Sequence, residues 1–310
     1  MSEMDRPILL TGVHGQVGGQ LLPLLQQMGD VVAPTRSELD LADGEAIRSY
    51  VQNVQPRWVV NPAAYTAVDK AETEPELAFA INAEAPRVLG EEAAKIGAAV
   101  LHFSTDYVFS GGGSTPWVET DATGPLGVYG ASKLAGEQRL AQSGTAYLIF
   151  RTSWVYGATG NNFLRTILRV ARGRDELRIV GDQHGAPTWS HDLARLAVHT
   201  IDRMEIAAQQ SNASLAEAVK PVSGIYHACA GGCTTWFGFA EEFLRFAQAA
   251  EPEQRFARLV PIATAEYPTP AARPQNSRMN CVKLLRELGF TMPQWQDSTS
   301  SVMAEISSAK

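Results

Sequence analysis

The sequence predicts an α/β fold, a doubly wound parallel sheet followed by a smaller α/β lobe, and three observations predict it. The chain opens with an apolar run that passes into a glycine-rich turn, apolar runs of strand length then alternate with helical stretches, and the alternation loosens beyond Trp154. Alternation of this kind covers a parallel sheet with helices on both faces. Residues 8–10 read as a buried strand, and Thr11-Gly12-Val13-His14-Gly15-Gln16-Val17-Gly18-Gly19 as a turn and helix start. Gly12 permits the tight turn, Gly15 lets the backbone approach a pyrophosphate, and Gly18 lets the helix pack near the sheet. The helix N-terminus then offers free amides to phosphates. An ordinary strand–helix turn is the alternative, but the place of this one, ahead of the amphipathic residues 21–25, favours a Rossmann-type dinucleotide site.

Residues 31–33 form the second strand, whose end normally meets the adenosine ribose. An acidic residue there would favour NAD; this chain has Thr35 and Arg36. A guanidinium fits a 2′-phosphate, so NADPH is expected, with NADH and a solvated Arg36 as the alternative. Residues 58–61 read as a strand ending in Pro62-Ala63-Ala64-Tyr65, small residues that let a cofactor lie against the backbone. A long helix is expected from Pro75 to about Lys95. Residues 99–103 form the next strand, with Ser104-Thr105-Asp106-Tyr107 at its carboxyl end, the edge where open α/β sheets bind ligands. Residues 147–151 are another strand, ending near Trp154. The polar, alanine-rich stretch 205–221 reads as an exposed insertion, and Pro268, Pro270 and Pro274 mark a loop-rich second lobe. The expected division is 1–152 plus about 188–228 for the dinucleotide-binding domain, and about 153–187 plus 229–310 for the substrate lobe.

Tyr129 and Lys133 stand four positions apart, which on a helix puts them on one face. A free tyrosine has a pKa of about 10 and is a poor proton donor or acceptor near neutrality. An ammonium beside it stabilises the phenolate and moves that pKa toward the working range of a general acid.

With 45% hydrophobic residues over 310 positions, the chain can bury a sizeable core and divide into two lobes. A net charge of −7 leaves no basic footprint for nucleic acid. No apolar run approaches the roughly 20 residues of a membrane span, and no signal-peptide core precedes the first strand. Cys229, Cys233 and Cys281 lack paired metal-ligand spacing, so reduced thiols and a cytoplasmic location are expected.

The glycine turn, Ser104-Thr105-Asp106 and Tyr129-x3-Lys133 together resemble an extended short-chain dehydrogenase/reductase. More narrowly, the chain resembles the dTDP-4-dehydrorhamnose reductase family over nearly its full length. The resemblance is carried by Gly15-Gln16-Val17-Gly18, the stretch from Asn61 to Glu72, Ser104-Thr105-Asp106-Tyr107-Val108-Phe109, and Glu119-Thr120-Asp121-Ala122-Thr123. It continues through Phe150-Arg151-Thr152-Ser153-Trp154-Val155-Tyr156, Gly160-Asn161-Asn162-Phe163, Gly185-Ala186-Pro187-Thr188 and Arg273-Pro274-Gln275-Asn276-Ser277-Arg278. Motifs this long, in the family's order, are more specific than any short pattern.

The resemblance implies NADPH-dependent reduction of the C4 keto group of dTDP-4-dehydro-6-deoxy-L-mannose, the last step toward dTDP-L-rhamnose. Tyr129 would give its proton to the forming alkoxide, Lys133 would lower the Tyr129 pKa and hold the nicotinamide ribose, and Thr105 would hydrogen-bond the carbonyl oxygen. Asp106 and Trp154 match substrate-contacting positions. A strand-end hydroxyl bonding local backbone is the alternative for Thr105, and a core aromatic for Trp154. Gly15, Gln16 and Val17 match phosphate contacts, Asp40 and Leu41 lie near the adenine, and Ala64, Tyr65 and Thr66 beside the ribose and linking phosphates, with Phe103 nearby. Thr35 stands where some relatives carry an acid. Some members bridge a dimer through magnesium held by glutamates; the matching positions here are Gln20, His191 and Gln296, neutral groups that are weak magnesium ligands. No magnesium and a monomer or weak homodimer are therefore expected. Three other readings stay open: a nucleotide-sugar epimerase or dehydratase, a catalytically silent NADP-binding regulatory subunit, and a reductase of another nucleotide-linked keto-sugar.

Overall fold

In the computed structural model, which describes residues 3–308, the first strand β1 (Ile8–Leu10) leads through the glycine turn into α1 (Gln16–Leu25). β2 (Val31–Val32), α2 (Gly44–Val54) and β3 (Trp58–Asn61) follow. Asp43 caps α2 by accepting from the amides of Glu45 and Ala46 at 2.9 and 3.1 Å, satisfying two donors that the first turn leaves free. The helix expected from Pro75 to Lys95 is one rod in three parts: α3 (Pro75–Phe79), a π-turn over Ala80–Glu84, and α4 (Ala85–Lys95). Next come β4 (Ala99–Thr105), α5 (Val128–Gln142) and β5 (Ala146–Thr152). The second half contributes α6 (Phe163–Ala171), α7 (Ser190–Ser211), β6 (Gly224–His227), α8 (Trp236–Ala250) and α9 (Trp295–Ser308).

The six strands form one parallel sheet in the order β6-β5-β4-β3-β1-β2. The chain leaves β1 toward β2 and then crosses back to β3, so the winding reverses at β1. Ligands bind open α/β sheets at such a reversal, beyond the carboxyl ends of the strands. Register runs Leu9 against Val59 and, seven pairs long, from Ala99 against Ala146 to Thr105 against Thr152. All of β4 is buried, as a central parallel strand must be.

One face of the sheet packs Leu10, Val60, Leu101 and Phe150 against α1 and α7. The other packs Leu9, Val59, Val100 and Ile149 against α2 and α4. A separate apolar cluster built on Tyr156, Leu164, Phe239, Phe243 and Trp295 holds the second lobe together. Two small parallel pairs, including Glu176–Val180 with Arg258–Ile262, complete it.

The stretch 205–221 is not an exposed insertion. It holds the last turns of α7 and a short helix, Leu215–Val219; Ala208, Leu215 and Val219 are buried, and Glu205 pairs with the buried Arg57 at 2.7 Å. Small alanines and a few widely spaced apolar residues carry the contact, so its mean hydropathy hides it. Cys229 and Cys281 are free thiols with sulfurs 3.7 Å apart, and Cys233 is exposed. Among the described residues no helix is long and apolar enough to cross a membrane.

Candidate active site

A cleft of about 890 Å³ opens where the winding reverses, floored by the carboxyl ends of β1, β3, β4 and β5 and walled by residues beyond Trp154. Gly12, Gly15, Gln16, Val17, Arg36, Asp40, Leu41, Ala64, Thr66, Phe103, Thr105, Asp106, Tyr129, Lys133 and Trp154 all line it. Tyr65 does not. Its hydroxyl donates to Glu74 at 2.5 Å and its backbone is held by Asn82, so the side chain turns away from the cleft.

The glycine turn is a cradle fitted to an anion. Gly12 has φ +61°, and a Cβ on Gly18 would lie 2.1 Å from the Gly12 carbonyl oxygen, so neither position takes a side chain without moving the helix. No side chain caps α1, which leaves the N–H groups of its first turn to a phosphate. The Gln16 side chain is committed elsewhere: it accepts from Asn162 at 3.1 Å and donates to the Val155 carbonyl, joining turn and second lobe. Arg36 is exposed at the cleft rim and makes no ion pair among the described residues. These features fit a dinucleotide whose pyrophosphate meets main-chain amides.

At the other end of the cleft, α5 presents Tyr129 and Lys133. Its N-terminus is tied down by Glu72, which accepts from the Val128 amide at 2.8 Å. Gly130 lets the helix press on the turn after β4, since a Cβ there would lie 2.2 Å from the Tyr107 carbonyl oxygen. The Tyr107 and Tyr129 rings meet edge to face at 5.4 Å. The Thr105 hydroxyl accepts from the Tyr107 amide at 3.2 Å and donates to Asp106 at 3.0 Å, and the residue lines the cleft.

One expectation is corrected here. Lys133 does not bring the Tyr129 phenol toward neutrality; burial pushes that phenol up to about 12, with the Thr105 hydroxyl pulling down and the Asp106 charge pushing up. The Lys133 ammonium instead donates to the Phe103 carbonyl at 2.6 Å and approaches His102 Nε2 at 3.2 Å. Its own pKa is pushed down to about 8 by burial, which the Glu137 charge opposes. Burial disfavours the charged form of both groups, and spacing along a helix carries no information about it. The phenol is thus a neutral proton donor at any ordinary pH.

Burial also pushes Asp106 up to about 6, the Ser277 hydroxyl and then the Thr105 hydroxyl opposing. One carboxylate oxygen is buried without a hydrogen-bond partner of its own among the described residues, although the Ser277 hydroxyl acts on the same carboxyl. Trp154 stands in the left-handed region at φ +49° and stacks on Trp236 at 3.8 Å, the rings 15° from parallel. Trp236, which opens α8 and lines the cleft, escaped the sequence reading, as did Asn82 and His102. Asn82 sits in the π-turn, which rotates it inward to clamp Tyr65 and to donate to Ser132 of α5 at 3.0 Å. A buried asparagine in an alanine-rich helix was the available signal. Arg273 makes two 2.8 Å hydrogen bonds to Asp69, tying the proline-rich loop to the sheet domain and holding the Asp69 carboxyl below its ordinary range. Outside the cleft, His191 Nδ1 and Gln20 Oε1 meet at 3.2 Å, and Gln296 is exposed.

Comparisons with known proteins bear on this site. The family model described as RmlD substrate binding domain matches residues 6–308. A dTDP-4-dehydrorhamnose reductase of Escherichia coli (strain K12) is 42% identical over 303 residues, 96% of this chain and 97% of the relative. One of Burkholderia thailandensis is 43% identical over 291 residues, 93% of this chain and 95% of the relative. Among solved structures, a Bacillus anthracis dTDP-4-dehydrorhamnose reductase in complex with NADP superposes with a TM-score of 0.85 at 33% identity, covering 97% of this chain and 100% of that one.

Proposed function

The chain belongs to the RmlD substrate binding domain family, and from that premise we propose that it is an NADPH-dependent dTDP-4-dehydrorhamnose reductase. It would reduce the C4 keto group of dTDP-4-dehydro-6-deoxy-L-mannose to give dTDP-L-rhamnose. The observation that carries the reading is that Thr105, Tyr129 and Lys133 line one end of a cleft whose other end is the uncapped glycine turn.

NADPH, when bound, supplies the hydride for C4. The amides of Gly15, Gln16 and Val17 would hold its phosphates, Arg36 the 2′-phosphate, Asp40 and Leu41 the adenine end, and Lys133 the nicotinamide ribose. Tyr129 gives its Oη proton to the sugar O4 as charge develops there, and the Thr105 hydroxyl turns its single proton from Asp106 to the same oxygen. Two donors aimed at one oxygen stabilise the transition state more than the ground state. The unpartnered oxygen of Asp106 accepts from a sugar hydroxyl, while Trp154 and Trp236 wall the sugar from water.

The same reading divides the chain into 1–152 plus about 188–228 for the cofactor and about 153–187 plus 229–310 for the nucleotide-sugar. It also makes the protein a cytoplasmic monomer or weak homodimer that needs no magnesium. The test is NADPH oxidation with dTDP-4-dehydro-L-rhamnose, run beside UDP- and GDP-linked 4-keto-sugars. Turnover with the dTDP substrate, lost by orders of magnitude in Tyr129→Phe with NADPH binding retained, is expected. Preference for another nucleotide-sugar, or full activity in Tyr129→Phe, would defeat the assignment.

A further inference from the structure

We propose that His102 is a positioning residue for Lys133: its Nε2 accepts a hydrogen bond from the ammonium and, through Asn61 and Thr11, fixes that ammonium relative to the glycine turn. The proposal rests on the role given to Lys133 above.

His102 is buried in β4 between Leu101 and Phe103, in the part of the strand that is otherwise apolar. Its Nε2 lies 3.2 Å from Lys133 Nζ. An ammonium has donors and no acceptor, so Nε2 must accept and the ring proton must sit on Nδ1. The Asn61 carbonyl oxygen stands 3.1 Å from Nδ1, placed to take that proton. The Asn61 carboxamide nitrogen also lies 3.1 Å from Nδ1, but both are donors in this tautomer, so the main-chain carbonyl makes the link to His102 while the Asn61 Oδ1 accepts from the Thr11 hydroxyl at 2.5 Å. Thr11 immediately precedes Gly12 and lines the cleft. A line of polar residues thus runs from β4 through β3 to Thr11, the residue that follows β1.

The line sets direction. Of the three N–H groups on Lys133, one goes to the Phe103 carbonyl at 2.6 Å and one to His102, which leaves the third for the cleft. Without the imidazole the ammonium would keep one fixed bond and could swing about it. Burial, and then the Lys133 charge, hold the His102 ring well below its ordinary pKa, so it stays an acceptor across the working range. The other ionisable groups around Lys133 do not compete for its protons. Glu137 on α5 is engaged by Arg151 of β5 at 2.7 Å and by Ser104 of β4 at 2.5 Å; Tyr129 and Asp106 lie along the cleft wall.

The experiment compares His102→Leu, which removes the acceptor at similar bulk, with His102→Gln, whose amide oxygen accepts from Lys133 while its NH2 donates to Asn61. Reduction of dTDP-4-dehydro-L-rhamnose is followed from about pH 6 to about pH 10, with circular dichroism as the check on folding. His102→Leu should lower kcat roughly ten- to a hundredfold, the loss of a hydrogen bond to a charged group. It should also move the basic limb of the profile to lower pH, because an ammonium short of an acceptor gives up its proton sooner. His102→Gln should restore both. A folded His102→Leu with the wild-type kcat and limb overturns the proposal, and so does a His102→Gln as impaired as His102→Leu. Should His102→Leu not fold, His102→Gln decides alone, an unmoved limb supporting the role and a shifted one overturning it. Lys133→Ala is measured alongside: full turnover there defeats the Lys133 assignment itself, whereas its loss beside an unaffected His102→Leu defeats only the role of His102.

Discussion

At the scale of single residues, the chemistry-bearing side chains were legible and their electrostatics were not. Tyr129, Lys133, Thr105, Asp106 and Trp154 stand out in the sequence as motif residues, and all line the cleft. Trp236 and His102 stand in no such motif, because each works through a partner distant in sequence, Trp154 and Asn61 respectively. Burial, which no spacing reveals, pushes Asp106 from 3.8 to about 6 and makes it a source of instability. Below about pH 4 the acid is neutral in folded and unfolded chains and costs nothing extra. As pH rises toward 6 the unfolded chain ionises first and stability falls; above that the penalty is full, about 3 kcal/mol. Asp106→Asn should therefore melt above wild type at pH 8, with the gap closing near pH 4, while losing activity. A gap that does not change with pH would show that ionisation of Asp106 is not what strains the fold. Arg36 supplies the second residue-scale prediction. It is exposed without an ion-pair partner among the described residues, so Arg36→Ala should raise the Michaelis constant for NADPH roughly ten- to a hundredfold and leave that for NADH little changed. Equal effects on the two cofactors would mean that Arg36 faces solvent.

At the scale of elements, the sequence reading succeeded where apolar runs are continuous and failed where small residues do the packing. β3 spans the expected residues 58–61, and β4 extends the expected strand by Ser104 and Thr105. The stretch 205–221 was misread because alanines give a helix face without raising hydropathy, and the π-turn at Ala80–Glu84 was invisible because its composition is helical. Yet that turn positions Asn82, which ties the cofactor-side loop to α5. The same helix depends on a cap from a distant element. Glu72 accepts from the Val128 amide one residue before Tyr129, satisfying a free donor and placing negative charge at the helix N-terminus. Glu72→Ala should cost about 1 kcal/mol of stability and lower kcat more than the affinity for NADPH. Glu72→Gln, whose amide oxygen still accepts, should fall between it and wild type. If Glu72→Ala and Glu72→Gln leave kcat untouched, the cap does not set the position of Tyr129.

At the scale of the whole molecule, the sheet domain was legible from its alternation, whereas the second lobe is assembled from pieces that no local pattern connects. Tyr156, Phe239 and Trp295 meet across some 140 residues of chain, and the Arg273–Asp69 pair joins residues about 200 positions apart. Assembly of several chains would be a further step, and the argument there is chemical. By the family resemblance, Gln20, His191 and Gln296 are the positions expected to match a bridging magnesium site; they offer neutral oxygen and nitrogen, and His191 already meets Gln20 at 3.2 Å. Magnesium is a hard cation that dehydrates reluctantly and is held through carboxylate oxygens, and neutral donors leave the cost of stripping its water unrepaid. The mass in solution and the rate should therefore be the same with and without EDTA, whether the protein is a monomer or a dimer through some other surface. Light scattering with and without the chelator measures this directly. A mass that halves on adding EDTA would show that a metal bridge forms despite the missing carboxylates, and that the ligands come from elsewhere on the surface.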